Sequence, residues 1–139
     1  WTLSIATAKE YPAFHDARTI SELHDVGRIW PDFSGFMRYQ TRFTLPDPMP
    51  ASVFLILEEA FEGVEVWVNG VYAGMNVCPP YITDLTGLLC KAGDNDLRIE
   101  VANTLYRHVR SLSNEANFFG PRGVVVEPAG IVGKVYLAY

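Results

Sequence analysis

The sequence has little of what would mark a membrane, metal or nucleic-acid protein. Its longest unbroken aliphatic or aromatic run, Val53 to Leu57, is far short of the roughly 20 residues a membrane-spanning helix needs. Eleven Lys and Arg stand against sixteen Asp and Glu, for a net charge of −5, and the basic residues are scattered. Nucleic acid or an anionic membrane demands clustered cations, so neither is expected as a partner. There are only two cysteines, Cys78 and Cys90, twelve positions apart. No Cys-x-x-Cys accompanies them and no histidine stands at ligand spacing, so no metal or cofactor is expected. A disulfide between them is one reading; the plainer one is a free cysteine acting as a small buried apolar residue. His15, His24 and His108 lie apart from each other and from any nucleophile elbow, and read as surface or packing residues. Helical periodicity is nearly absent, as are repeats, low-complexity tracts and linkers. The chain opens on Trp1 without methionine or a signal-type segment, which gives the expectation of a domain cut from a longer protein, its targeting unreadable.

What is present is strand. With 139 residues, 49% of them hydrophobic, the chain suits one domain with a real core. The organising stretch runs from Gly63 to Ala102. Val64, Val66 and Val68 alternate with Glu65 and Trp67, the period-two pattern of a half-buried strand. Asn69-Gly70 suits a type I′ turn, so Val71 to Ala73 should pair back as a hairpin, with the turn structural in role. Lys91 to Asn95 is a second turn, feeding a strand from Asp96 to Ala102 in which Leu97, Ile99 and Val101 alternate with Arg98 and Glu100. The six aliphatic residues are expected in the core. Trp67, on the opposite face from Val66, should be covered by loops or by another domain.

Trp1 to Thr7 reads as a further strand, then an irregular stretch in which Ile20, Leu23 and Val26 have the spacing of a short helix stopped at Trp30-Pro31. Gly35 to Leu45 alternates again, with Met37, Tyr39, Phe43 and Leu45 against Arg38, Gln40, Arg42 and Thr44. Pro46, Pro48 and Pro50 make an extended loop. Val53 to Leu57 is apolar on both faces, as in a strand at the middle of a sheet. Asp84 reads as a turn or strand-end residue, and the clustered Glu58, Glu59, Glu62 and Glu65 as a solvated rim. Val124 to Val126 and Val132 to Tyr139 are expected as closing strands, with Pro128-Ala129-Gly130 the turn between them. Such an inventory predicts an all-β fold, an antiparallel β-sandwich, with a lipocalin-like barrel as the alternative.

Asn103 to Gly123 breaks the rhythm. It carries Tyr106, Arg107, His108, Arg110, Asn114, Asn117, Phe118, Phe119 and Arg122 on what reads as a long loop, rich in groups that hydrogen-bond hydroxyls and stack on sugar faces. Its candidate binding or docking residues are Asn103, Tyr106, Arg107, Arg110, Phe118 and Phe119, with Trp30 and Tyr81 as neighbours. The bland alternative is a lid on the core, its rings plugging the sandwich and its arginines paired with the acidic rim.

An ordered set of motifs carries a resemblance: Phe33-Ser34-Gly35 with Arg38-Tyr39 and Phe43 to Pro46; VEVWVNG at 64–70; Gly74; Pro80-Tyr81 and Asp84; Gly93 and Asn95; LRIEVAN at 97–103; and Gly130 to Leu137. Together they resemble the sugar-binding jelly-roll domain of glycoside hydrolase family 2, a galactose-binding-like β-sandwich, over about four-fifths of the chain. The resemblance implies a jelly roll without catalytic carboxylates of its own, packed on the catalytic domain of the same polypeptide and lending a loop to its carbohydrate cleft. Family members have an Asn-x-Leu segment followed by Asn-Arg; here Asn103 and Arg107 match, while Tyr106 replaces the expected Asn. A free-standing carbohydrate-binding module and a protein–protein interaction domain are the other readings.

Overall fold

The computed structural model describes residues 1–89, 93–112 and 126–139. Two antiparallel sheets face each other. The larger has six strands in the order β2-β1-β3-β8-β5-β6: β1 Thr2–Ala6, β2 His15–Thr19, β3 Phe36–Thr44, β5 Gly63–Val68, β6 Val71–Asn76 and β8 Asp94–Ala102. The smaller has three in the order β7-β4-β9: β4 Phe54–Phe61, β7 Tyr81–Asp84 and β9 Gly130–Ala138. This is the expected antiparallel β-sandwich, not a closed barrel. No helix among the described residues is long and apolar enough to cross a membrane.

The core follows the alternation. Val64 pairs with Val101, Val66 with Ile99 and Val68 with Leu97 across β5 and β8, and none of the six exceeds 4% exposure. Each such burial stabilises by about 1.5 kcal/mol or more. Facing them from the smaller sheet are Leu55, Leu57, Ala60, Tyr81 and Ile131. The Asn69-Gly70 turn has positive φ at both residues, 52° and 79°. Asn69 also ties it down: its amide donates to Leu88 O and Asn95 Oδ1, and its Oδ1 accepts from Asp96 N at 3.0 Å.

The structure corrects several expectations. The helix around Ile20 to Val26 is only a 3-10 turn at Val26–Arg28, with the Asp25 carboxylate accepting from Gly27 N at 2.8 Å. Before it, β2 is exposed along its whole length and so has no alternation to betray it. Part of the expected loop after Asn103 is a helix, α1, Tyr106–Leu112, started where Ser34 Oγ accepts from His108 N. Gly130 belongs to β9, not to the turn before it: it pairs with Phe61, has a φ of 82°, and without a Cβ can lie against the Tyr39 hydroxyl. Among the described residues Trp67 is half-buried by its sheet neighbours and not by loops: the Arg98 guanidinium lies 4.0 Å from its ring centroid and Tyr72 meets it edge-on. Val126 is in no strand; Val124 and Val125 lie outside the described residues.

Candidate functional site

Strand β8 delivers Asn103 to one end of the sandwich, and α1 places Tyr106 and Arg107 one turn further on. These three line a cleft of about 300 Å³ with Phe61, Glu62, Thr104, Val126, Glu127 and Pro128. Phe61, Glu62 and Glu127 also border a second cleft of about 550 Å³ that holds Tyr81, Val77, Cys78 and Pro79 with Glu58 and Glu59. Arg107 and Val126 are shared with a third, about 320 Å³, where Arg110 meets Pro31, Asp32 and Ser111. Six of the eight expected residues thus have described positions, and five of them line this row of clefts. Trp30 lines none of the three: it is half-buried against the core, with Arg18 stacked 4.5 Å from its ring centroid. Phe118 and Phe119 lie outside the described residues, as do Asn114, Asn117 and Arg122.

Hydrogen bonding separates these residues by what they are free to do. The Asn103 carboxamide is consumed by the fold: Oδ1 accepts from Gly35 N at 2.8 Å and Nδ2 donates to Phe33 O at 3.0 Å. Arg107 is a staple. Its guanidinium donates to Pro31 O at 3.1 Å and to Glu127 O and lies 3.8 Å from Asp25 Oδ1, with only 11% of its side chain exposed. Asp25 in turn accepts from Ala129 N, so one Arg-Asp pair joins α1, the 3-10 turn and the approach to β9. Tyr81 is buried, its hydroxyl donating to Ala60 O at 2.9 Å, and burial raises its phenol above the ordinary range. Tyr106 is the half-buried ring of the cleft wall.

The carboxylates Glu58, Glu59, Glu62 and Glu127 are exposed around these clefts, and Glu58 Oε2 accepts from Lys134 N at 2.8 Å. Acceptors beside rings can hold hydroxyls, and the first cleft adds Arg107 behind them. Glu62 and Phe61, at the β4–β5 junction, and Glu127 were invisible as site residues; the glutamate run was legible only as a rim. Asp84 ends β7 as expected, accepting from Thr86 N at 2.8 Å, and the Thr86 contacts hold its carboxyl below the ordinary range. Cys78 is free and exposed, against the buried role expected of it; Cys90 lies outside the described residues.

A second polar feature lies on the outer face of the larger sheet. Glu100 is 2% exposed and accepts from Arg38 Nε at 2.8 Å and the Tyr11 hydroxyl at 3.2 Å. Arg38 stacks 3.7 Å from the Phe14 ring centroid. Beside this network Gln40, Arg42, Trp67, Asp96 and Arg98 border a groove of about 340 Å³.

No protein-family model and no curated protein sequence matches this chain. Solved structures do. A rhamnosidase from Novosphingobium sp. PP1Y superposes with a TM-score of 0.78 at 23% identity, over 98% of this chain and 14% of that one. An FMN-binding β-glucuronidase from Faecalibacterium prausnitzii L2-6 gives 0.66 at 22% identity, over 97% and 20%. Another Faecalibacterium prausnitzii β-glucuronidase gives 0.62 at 20% identity, over 73% and 20%. At these identities the likeness is one of fold. The chain spans 14–20% of the length of these glycoside hydrolases.

Proposed function

We propose that these 139 residues form a single jelly-roll, galactose-binding-like domain of the glycoside hydrolase family 2 type, non-catalytic in itself, that packs on the catalytic domain of a larger glycoside hydrolase. The observation that carries this reading is the match to the rhamnosidase, which takes in 98% of this chain and only 14% of the other. A sandwich that recurs nearly whole inside a much longer glycosidase supports reading this chain as a module of such an enzyme.

In this reading the cleft between Tyr106, Glu62 and Glu127 faces the catalytic domain and its carbohydrate. Tyr106 is the residue to test, because Asn103 and Arg107 are occupied in holding the fold. Tyr106→Ala in the full-length polypeptide is expected to lower activity on its glycoside at an unchanged melting temperature. Lost stability at unchanged specific activity would leave only a packing role. A glycan array probed with the 139-residue chain separates the alternative, since a free-standing carbohydrate-binding module retains sugar without a catalytic domain.

A further inference from the structure

The two edges of the six-stranded sheet are built oppositely. At one, β2 presents His15, Asp16 and Arg18, charges that deter a neighbouring chain from adding a strand. At the other, β6 pairs, among the described residues, only with β5, and has no charged residue of its own. The uncharged stretch is longer than the strand: from Val66 to Thr83 there is no Asp, Glu, Lys, Arg or His. Its apolar side chains are exposed. Val71 is 51% exposed, Tyr72 47%, Met75 59%, Val77 66% and Ile82 44%, so five of the ten exposed large apolar residues among those described fall between positions 71 and 82. Pro79 and Pro80, also exposed, wrap the surface from β6 round to β7.

We infer that the β6 edge, the 77–80 connection and Ile82 of β7 form the surface on which a neighbouring domain of the same polypeptide is permanently seated. This rests on the functional reading above, and adds which side of the sandwich is covered. Transient interfaces keep the polar composition of ordinary surface, whereas obligate ones resemble a core cut in half. The strand edge has no charge of its own and presents exposed Met, Val, Tyr and Ile, while Glu65 beside Tyr72 and Glu58, Glu59 and Glu62 by the 77–79 cleft form its rim; an apolar centre within a polar rim is of the second kind. The fold recurs as 14–20% of longer glycosidase chains, so the obligate partner is the remainder of such a chain. A tethered domain is present at high effective concentration and needs no affinity for a free partner.

Cys78, exposed within this surface, is the probe. Maleimide labelling is followed by peptide-resolved mass spectrometry on the 139-residue chain and on the full-length polypeptide, with glycosidase activity assayed on the latter. Labelling at least tenfold slower in the full-length polypeptide is expected, and Met75→Lys with Val77→Asp should restore the fast rate there while leaving the melting temperature of the 139-residue chain unchanged. Equal rates in both would overturn the inference, even where activity is present and the functional reading stands. Protection without glycosidase activity would keep this inference and overturn that reading. Ultracentrifugation decides the remaining case: a dimer of the 139-residue chain that Met75→Lys dissolves makes the occupant a second copy, and the inference fails.

Discussion

The Tyr39 hydroxyl accepts a hydrogen bond from the Ile131 amide at 3.1 Å, and both residues are 0% exposed. One side chain of the larger sheet thereby satisfies a backbone donor of the smaller. Burial raises the phenol well above the ordinary tyrosine range, so it is a neutral hydroxyl at every pH of interest.

Tyr39→Phe removes that acceptor and strands a buried amide. The cost is about 1 to 3 kcal/mol, most of it desolvation of the unpaired donor. Urea unfolding reads it directly; a variant as stable as the parent would show that the bond between the sheets contributes nothing. Gly130→Ala attacks the same place from β9, where an added Cβ meets the Tyr39 hydroxyl, Val26 and Met37.

Glu100→Ala should destabilise by about 3 kcal/mol, the low end for breaking a buried pair, because Arg38 keeps 20% of its side chain in solvent. Glu100→Gln preserves an acceptor for Arg38 and Tyr11 and should cost less. If Glu100→Gln unfolds at the same denaturant concentration as the parent, charge plays no part in this network.

Gly70→Val is expected to cost about 1 to 3 kcal/mol through strain alone. Gly70 has a φ of 79°, and nothing lies within 4 Å of where its Cβ would be, so crowding is no part of the effect. Gly63 also has open space but no positive φ, which makes Gly63→Ala the control; equal losses at the two sites would dismiss the turn geometry as the cause.

His15 sits between two carboxylates, 3.1 Å from Glu10 Oε2 and 3.1 Å from Asp16 Oδ2. Hydrogen bonds to Glu10 first and Asp16 second raise the imidazole above its ordinary 6.5. Hydrogen bonds from the Thr7 hydroxyl, the Thr7 amide and His15, in that order, hold the Glu10 carboxyl at about 2, below its ordinary 4.5. The raised histidine contributes fully below pH 6.5 and loses its contribution as pH rises through the folded value; the depressed glutamate contributes above 4.5 and loses it as pH falls towards 2. The cluster is therefore complete between about pH 4.5 and 6.5. Both groups are exposed, so the effect on stability is small and salt-screened. Proton NMR titration of His15 should show its raised midpoint falling back when Glu10→Gln is introduced; an unmoved midpoint would dismiss the pairing.

Arg107→Ala should lower the melting temperature, and Arg107→Lys should not rescue it, since one ammonium cannot reach Pro31 O, Glu127 O and Asp25 in the plane of a guanidinium. Rescue by lysine would mean that charge alone, not the fork, holds α1 to the 3-10 turn.

Wherever one face was buried and the other wet, the fold was legible in the chain. Val64, Val66 and Val68 alternate because β5 has a core side, and Asn69-Gly70 announces its turn because positive φ restricts the residues that fit. Strand β2 left no pattern because neither face is buried, and the alternation of Glu100 with Ile99 and Val101 gave no sign of its burial, because Tyr11, which folds over it, is 89 positions away in the chain, a contact no local period records. The site was legible in part for the same reason. The polar and aromatic wealth after Asn103 marked the right end of the sandwich, but residue type cannot tell an asparagine or arginine spent on backbone carbonyls from one that is offered to a ligand.

The pairing of β4 with β9 sets the order in which this molecule can assemble. β4 lies at the centre of the smaller sheet, yet its partner β9 runs Gly130 to Ala138, aligning Phe54 with Ala138. The β5–β6 hairpin needs only a two-residue turn and can close early, and β8 can dock on it soon after. The smaller sheet has to wait until nearly the whole stretch has been synthesised and a large loop entropy has been overcome. Until then Leu55 and Leu57 cover the growing core from one side of an incomplete sheet, and a nascent chain halted before β9 would be a substrate for chaperones.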